Sequence, residues 1–329
     1  MDYYNKNIIE DPSLLGLQRK YFNSPLIDRT GTIDQGLKIL TPLALNTTTD
    51  SFEKIMDDRA VQLLKLASKN NRNIKVAYSG GIDSTGVMVA LLRHKEEYPD
   101  VTIINVMSRE SYLEYPEFYD KHLSIKTEVR FVDSLEVLAE LGKQEDKKHY
   151  IVTGEIGDQL FGSALMFKLN NPQILVEPWA NTLTCFHYTK LIDLVRKNPF
   201  YETDKSYACF LWWLNFTLKY QWVQIRICAK LGRHIVQDLI HFYDSPEFQA
   251  WAVSTPMEEK FHDYTRPETY KMPAKKYIFD YAKDLWYYMA KTKMPSLYKT
   301  VEDSFAKDLI RITEDFRIYK VREEEYEFV

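Results

Sequence analysis

The residues best suited to chemistry form a short run of glycines and hydroxylated residues around Asp83. One apolar segment, 74–78, precedes the run and another, 86–92, follows it, which predicts a buried strand, a tight turn and a helix. Adjacent glycines let the backbone approach a ligand, and the amides that open a helix point outward at the positive end of its dipole. We therefore predict a phosphate-binding turn. Its residues are Tyr78, Ser79, Gly80, Gly81, Asp83 and Ser84.

A carboxylate is an unexpected group inside such a turn, because Asp83 alone would repel phosphate. A divalent cation between them removes the conflict, and Mg²⁺ commonly binds one or two carboxylates together with substrate phosphates. The turn lacks the Gly-Lys-Ser/Thr ending of a Walker A loop and the third glycine of a dinucleotide-binding fingerprint. A glycine-rich turn that only caps a helix is the alternative, and the order Ser-Gly-Gly-x-Asp-Ser after an apolar strand argues against it.

A second glycine-rich segment, 153–162, follows another predicted strand, 149–152. It reads Thr-Gly-Glu-Ile-Gly-Asp-Gln-Leu-Phe-Gly. In parallel sheets, ligands bind beyond the carboxyl ends of the strands. Both segments come at such ends, so we expect them to face one cleft.

Strands alternate with helices through the first half of the chain, which predicts an α/β fold with a doubly wound, mostly parallel sheet. The predicted strands are 74–78, 101–107, 126–132 and 149–152, and the alternating pattern of the third places it near a sheet edge. A helix is predicted to begin at Thr49, Asp50 or Ser51. Further helices are predicted over 115–122, 134–141, 183–196, 207–231, 235–243, 246–253, 273–289 and 301–316.

These elements suggest three regions. Residues 1–50 form an N-terminal extension in which 21–40 could make a hairpin. Residues 51–165 form the α/β core, and residues 166–329 form a helical region that completes the cleft.

The composition is that of an ordinary globular protein, with 45% hydrophobic and 27% charged residues. A net charge of −4 argues against nucleic acid and anionic membranes as partners. The three cysteines are far apart and form no C-x-x-C pair, as expected of a reduced, cytoplasmic chain. The polar N-terminus shows no signal peptide, and no apolar run is long enough to span a bilayer.

The two motifs together resemble the synthetase domain of asparagine synthetases. The first resembles the pyrophosphatase loop of the ATP pyrophosphatase, or adenine nucleotide alpha hydrolase-like, superfamily. The second resembles that family's Ser-Gly-Glu-Gly-Ala-Asp-Glu-Leu-Phe-Gly motif, and the similarity extends over about residues 51–298. It implies cleavage of ATP between its α and β phosphates, which gives pyrophosphate and an adenylated carboxylate that ammonia or an amine then captures.

The resemblance also implies roles for individual residues. Asp83 and Asp158 would share Mg²⁺, and Lys275 or Lys276 would contact the α-phosphate and the leaving pyrophosphate. The carboxylate of Glu155 would receive a proton from the attacking amine. Other residues would surround the nucleotide. The pyrophosphate would be held by Ser79, Gly81 and Ser84. The adenosine would be bordered by Tyr78 with Val106 or Met107, and the ribose would lie near Gly154. The segment 291–293 resembles the family's basic Arg-x-Lys segment.

Three departures limit the resemblance. Position 2 is Asp and only about seventy residues precede the turn, so we expect no glutaminase domain of the family's kind. The amine would then be free ammonia or part of a substrate. Gln159 stands where the family has an acid, which weakens the inference that aspartate is the substrate. The short interval between the motifs predicts a different substrate wall.

Three functions remain open at this stage. The first is an AMP-forming amide ligase that uses ATP, Mg²⁺, a small carboxylate and ammonia or an amine. The second is an enzyme that activates a nucleobase or tRNA carbonyl, and the third is an ATP-binding regulatory protein without catalysis. The sequence leaves homo-oligomerisation open.

Overall fold

The computed structural model describes most of the chain, and every structural statement below concerns the residues that it describes. These are residues 26–33, 38–143, 148–162, 175–179, 189–231, 237–264, 266–292, 309–312 and 318–321.

Five strands form one sheet in which every neighbouring pair is parallel, in the order β3-β2-β1-β4-β5. The predicted α/β class and parallel sheet are confirmed, and the third strand lies at an edge as its pattern predicts. The strands are β1 (Asn73–Ala77), β2 (Ile103–Met107), β3 (Glu128–Phe131), β4 (His149–Thr153) and β5 (Leu239–His241).

Helices cover both faces of the sheet. They are α1 (Phe52–Lys69), α2 (Ile82–His94), α3 (Arg109–Glu114), α4 (Pro116–Phe118), α5 (Ser124–Lys126), α6 (Val137–Gly142), α7 (Gly157–Phe161), α8 (Thr189–Arg196), α9 (Tyr207–Leu214), α10 (Tyr220–Leu231), α11 (Pro246–Ser254), α12 (Met257–Lys260), α13 (Met272–Ala282) and α14 (Leu285–Ala290). The π-helical turns Tyr119–Leu123 and Asn215–Lys219 continue α4 and α9. Helices α1 and α2 pack on one face, and α6 and α10 pack on the other. Of the three predicted N-cap candidates of α1, the structure has Ser51, whose side chain accepts a hydrogen bond from the amide of Lys54.

The order of the strands brings the two motifs together. β1 has β2 on one side and β4 on the other, so the chain winds outward from β1 in both directions. Ala77, the last residue of β1, pairs with Thr153, the last residue of β4. Both glycine-rich turns therefore leave the sheet side by side, at the point where a doubly wound sheet binds its ligands.

The prediction of a helix over 235–243 was wrong for its described part, because Leu239–His241 forms β5. A run of three or four apolar residues fits a buried strand as well as a helix turn, and periodicity cannot distinguish them. The free edge of β4 decides the outcome, since β5 pairs there in parallel.

Several other predicted elements differ from the structure. Residues 309–312, predicted as helix, form a strand that pairs antiparallel with Ile318–Val321. The helix predicted over 273–289 is divided at Lys283, which has a φ of 56°. The described residues 26–33 contain turns and no strand, and the remaining parts of the predicted hairpin and of the helices over 183–196 and 301–316 lie outside the described residues. Helix α3 had not been predicted.

The N-terminal extension attaches to the π-helical turn Asn215–Lys219. The amides of Ile27 and Arg29 donate to the carbonyls of Leu218 and Thr217, at 2.7 and 3.2 Å. The buried guanidinium of Arg29 lies 3.7 Å from the ring centre of Tyr220. A π turn shifts carbonyl groups out of the regular helical ladder, which leaves them available to a neighbouring segment. Within the described residues, no helix is both long and apolar enough to cross a membrane.

A lysine lies in the aromatic core of the helical region. The ammonium of Lys260 donates to the carbonyl of Ala252 at 2.6 Å and lies 3.8 Å from the ring centre of Trp212. Burial lowers the pKa of Lys260 to about 7, from an ordinary value of 10.5. The folded protein therefore releases a proton between pH 7 and 10.5 that the unfolded chain still holds.

We expect this difference in proton binding to make stability depend on pH. The unfolded state binds more protons in that window, so the contribution of Lys260 to the free energy of unfolding rises with pH, by about 1.4 kcal/mol per pH unit. Urea unfolding of the wild type and of Lys260→Met, from pH 7 to 9.5, tests this expectation. The free energy of unfolding of the wild type minus that of Lys260→Met should rise with pH. In Lys65→Met, which changes an exposed lysine of α1, the difference from wild type should stay constant. A constant difference for Lys260→Met as well would contradict the prediction.

Candidate active site

The first glycine-rich turn joins β1 to α2 and is held by its own serines. Gly80 has a φ of 75°, in the left-handed region that glycine adopts easily. The hydroxyl of Ser84 accepts from the amide of Ser79 at 3.1 Å and lies 3.2 Å from the carbonyl of Gly81. The hydroxyl of Ser79 accepts from the amide of Gly81 at 3.3 Å. The serines therefore fix the shape of the turn at the N-terminus of α2.

The second turn packs directly against the first. A Cβ on Gly154 would lie 2.9 Å from the amide nitrogen of Ser84, and a Cβ on Gly157 would lie 2.4 Å from a carboxylate oxygen of Asp83. Real Cβ atoms do not approach other atoms this closely, so both positions require glycine for the turns to remain in contact. Gly154, predicted beside a ribose, thus also contacts the backbone of the first turn.

The two predicted metal-binding carboxylates meet at a lysine. The ammonium of Lys271 lies 2.5 Å from each carboxylate oxygen of Asp83 and 2.7 Å from Oδ1 of Asp158. The hydroxyl of Tyr270 donates to the same oxygen of Asp158 at 2.9 Å. The lysine side chain is 2% exposed, whereas those of Asp83 and Asp158 are 22% and 29% exposed. The carboxylates therefore face the cleft, and the lysine approaches them from within the protein.

This arrangement fits the predicted Mg²⁺. Two carboxylates that reach one cation, beside a turn suited to phosphate, supply the usual ligand set when phosphate oxygens and water complete the shell. Among the described residues, no group of three or more His, Cys, Asp or Glu could hold a metal by itself.

The two lysines predicted to meet the phosphates lie elsewhere on α13. The ammonium of Lys275 donates to the carbonyl of Glu268 at 2.6 Å, and burial lowers the pKa of Lys275 to about 8. Lys276 is exposed and pairs with Asp280 at 2.5 Å. Lys271, which immediately precedes α13, is the lysine that the structure brings to the carboxylates. The sequence did not predict Lys271 in this role, because spacing alone does not reveal the left-handed backbone there, with a φ of 57°. The available signal was its position just before the lysine-bearing helix.

The residues predicted to border adenosine are buried. The ring of Tyr78 is 2% exposed and stacks on Phe118, and burial raises the pKa of its hydroxyl. Val106 and Met107 are fully buried in opposite faces of the sheet. The backbone of these strand ends, rather than their side chains, is therefore the part placed to meet a ligand.

Glu155, in the second turn, is paired with a cation. Its carboxylate accepts a hydrogen bond from the guanidinium of Arg226 at 2.5 Å, and each side chain is about one quarter exposed. Its amide lies 3.4 Å from the hydroxyl of Thr153, which lies 2.7 Å from Nδ1 of His241.

The neighbours of His241 determine which of its nitrogens carries the proton. Nε2 lies 2.8 Å from the carbonyl of Gln224, which can only accept, so Nε2 donates. In the neutral ring Nδ1 then accepts from Thr153. Burial lowers the pKa of His241, which favours this neutral form.

Gln159, predicted to remove a charge from beside the substrate, points away from the cleft. Its side chain is 3% exposed and donates to Oδ1 of Asn215 at 3.2 Å. The amide group of Asn215 also donates to the carbonyl of Asp158 at 2.7 Å. Trp212, one turn earlier, donates to the carbonyl of Leu160 at 3.0 Å. These side chains hold α7, the five-residue helix that carries Asp158, so Gln159 is part of its support and is no guide to the substrate.

A buried ion pair lies against the first turn. The ammonium of Lys291 is 2.8 Å from a carboxylate oxygen of Glu114, and each side chain is 3% exposed. A Cβ on Gly80 would lie 2.8 Å from Cβ of Glu114 and 2.4 Å from the carbonyl oxygen of Ser111. Helix α3 therefore packs directly against the glycine turn at Gly80. Lys293, the other basic residue of this segment, lies outside the described residues.

A scan against models of known protein families found no match to this chain, and a search of curated proteins found none either. The resemblance to asparagine synthetases therefore rests on the two motifs.

We expect Gly80→Ala to disturb the first turn more than a positive φ alone would. The left-handed backbone costs an alanine about 1 to 2 kcal/mol, and contact with the Ser111 carbonyl adds about 1 kcal/mol or more. Gly31→Ala is the matched control, since Gly31 has a φ of 69° with nothing within 4 Å of its would-be Cβ. Urea unfolding compares the two variants. Equal losses of stability would show that the packing against α3 is unimportant.

We expect Asn215→Ala to displace Asp158, because the carbonyl of Asp158 keeps the amide of Gly162 but loses its second donor, and the side-chain amide of Gln159 loses the acceptor Oδ1 of Asn215. The stability loss should be about 1 to 3 kcal/mol. Trp212→Phe removes the neighbouring bond to Leu160 and serves as the control. Calorimetric titration with ATP and Mg²⁺ should show weaker binding for Asn215→Ala than for Trp212→Phe after both are confirmed to be folded. Equal affinities would show that Asn215 supports the fold without positioning the carboxylate.

Proposed function

We propose that the chain is an ATP-dependent ligase that forms AMP and pyrophosphate while it activates a carboxylate for attack by ammonia or an amine. One observation carries the proposal. Asp83 and Asp158, from the turns after two adjacent parallel strands, converge on one cation beside a glycine turn at the N-terminus of α2. This combination suits a nucleotide triphosphate held through its phosphates and a divalent cation.

Different residues would act at different points during cleavage of the bond between the α and β phosphates. Negative charge develops on the leaving pyrophosphate, and preorganised positive charge in a site shielded from water lowers the barrier. The amides of the turn at 79–81 and the dipole of α2 would hold phosphate oxygens. Asp83 and Asp158 would hold Mg²⁺, which supplies further charge neutralisation when bound. Lys271 takes the role that the sequence had assigned to Lys275 or Lys276, because its ammonium already lies at the carboxylates.

The acceptor side of the reaction rests on Glu155. Glu155 belongs to the second motif and pairs with Arg226, and a carboxylate there can receive the proton that an attacking amine releases. Gln159 stands where the family has an acidic residue, but its side chain faces Asn215. Its identity therefore does not indicate which carboxylic acid is the substrate. Aspartate therefore belongs in the first panel of carboxylates, with ammonia as the simplest nitrogen donor.

The decisive experiment measures pyrophosphate and AMP released from ATP and Mg²⁺, with aspartate and ammonium chloride first and then with other carboxylates. Asp83→Asn, Asp158→Asn and Lys271→Met should each lower turnover by about 100-fold or more, because each removes a charge that acts on the phosphates. Asp58→Asn, which changes an exposed acid of α1, is the control and should retain full turnover.

The outcomes distinguish the candidate functions. Turnover with a small carboxylate supports the ligase, and turnover that requires tRNA or a nucleobase supports carbonyl activation on those substrates. Tight binding of ATP without products across the panel would overturn the ligase and favour a regulatory ATP-binding protein.

A further inference from the structure

We propose that Lys271 is the resident cation of the two-carboxylate site, and that it excludes a free divalent ion until a nucleotide arrives. The inference rests on the proposed function for its nucleotide step only. It concerns how the site is regulated, and its first test requires no reaction.

Every proton of the Lys271 ammonium has a carboxylate oxygen within hydrogen-bond distance. Its ammonium has three protons, and three carboxylate oxygens lie within 2.7 Å: two from Asp83 and one from Asp158. The side chain is almost fully buried, so water replaces none of these contacts easily. The same oxygens are those a divalent ion would need. Two like-charged cations cannot share them at such distances, because their mutual repulsion is strong where solvent is scarce. Lysine and metal are therefore alternatives.

The backbone directs the lysine to this position. Lys271 has φ 57° and ψ 40°, an uncommon conformation for a residue with a side chain, and it caps the N-terminus of α13. Its carbonyl accepts from the amide of Lys275 at 3.0 Å, which ties the cap to the helix. The single hydroxyl proton of the neighbouring Tyr270 has two acceptors within reach, Oδ1 of Asp158 at 2.9 Å and the carbonyl of Gly162 at 2.7 Å. Tyr270 would remain beside Asp158 if Lys271 moved away.

A nucleotide changes the balance because it brings new anionic partners. Phosphate oxygens at the turn 79–81 would give the long, flexible side chain of Lys271 another place for its charge. The carboxylates, which are 22% and 29% exposed, would then accept the divalent ion that accompanies the phosphates. Metal and nucleotide should accordingly bind together, and the metal alone should bind weakly.

Titration of the nucleotide-free protein with Mn²⁺, followed by the electron paramagnetic resonance signal of free Mn²⁺, tests the proposal. Lys271→Met should bind Mn²⁺ at least about tenfold more tightly than the wild type, because it removes the competing ammonium from both carboxylates. Lys65→Met, at an exposed position of α1, should match the wild type. Adding Asp83→Asn to Lys271→Met should abolish the gain, which locates the ion. Unchanged or weaker Mn²⁺ binding by Lys271→Met would overturn the proposal.

Two further arms keep the outcome interpretable. Lys271→Gly suits the left-handed backbone, so it provides a second vacated site if the methionine variant does not fold. Addition of an α,β-methylene analogue of ATP should tighten Mn²⁺ binding more in the wild type than in Lys271→Met, since only the wild type has a lysine to displace. A gain of equal size in both proteins would contradict the exchange. Tighter Mn²⁺ binding by Lys271→Met in a protein that never cleaves ATP would uphold Lys271 as the resident cation while refuting the ligase.

Discussion

The close approach of two glycine-rich turns is the constraint on which the rest of the site depends. Because β1 and β4 are neighbours with Ala77 paired to Thr153, the turns start side by side. Gly154 and Gly157 then allow the second turn to lie against the backbone and the carboxylate of the first. A side chain at 154 would meet the backbone of Asp83 and Ser84, and one at 157 would meet the carboxylate of Asp83. The shared cation, the support of α7 by Asn215 and the position of Glu155 all follow from this contact.

Helix dipoles explain why two carboxylates can lie so close together. Asp83 is in the first turn of α2, and Asp158 is in the first turn of α7. A helix N-terminus stabilises a negative charge by about 0.3 to 1 kcal/mol at the surface and by more where solvent is limited. The lysine between them offsets one of the two charges, which leaves the cluster with a net charge of −1. If a nucleotide draws the lysine away, as proposed above, the two carboxylates are left for the divalent ion that accompanies the phosphates.

Local patterns predicted most of the elements that lie in the sheet, because buried parallel strands and capped helices leave strong signals. They predicted the start of α1 to within three residues, the strands through His149–Thr153 and the meeting of both glycine turns. They failed where pairing across the fold decides structure, as at β5, which an open strand edge selects. They also failed for Lys271, Asn215 and Arg226. Each reaches the site through a special backbone turn or from a distant helix, and single-sequence spacing carries no record of such contacts.

The second motif differs at two adjacent positions from the family motif that it resembles. The family has glycine and then alanine where this chain has Ile156 and then Gly157. Ile156 has a φ of 77°, which for a β-branched residue costs about 1 to 2 kcal/mol. Its side chain is 1% exposed, and burial of an isoleucine contributes about 1.5 to 3 kcal/mol.

Burial therefore offsets the strain at position 156, and the glycine becomes free to serve at position 157. There the missing Cβ is what allows the carboxylate of Asp83 to lie against the second turn. The same carboxylate oxygens contact the ammonium of Lys271, so a side chain at 157 would compete for the space that Asp83 occupies at the cation site. The buried Ile156 and the glycine beside it thus act together to let Asp83 lie against the second turn.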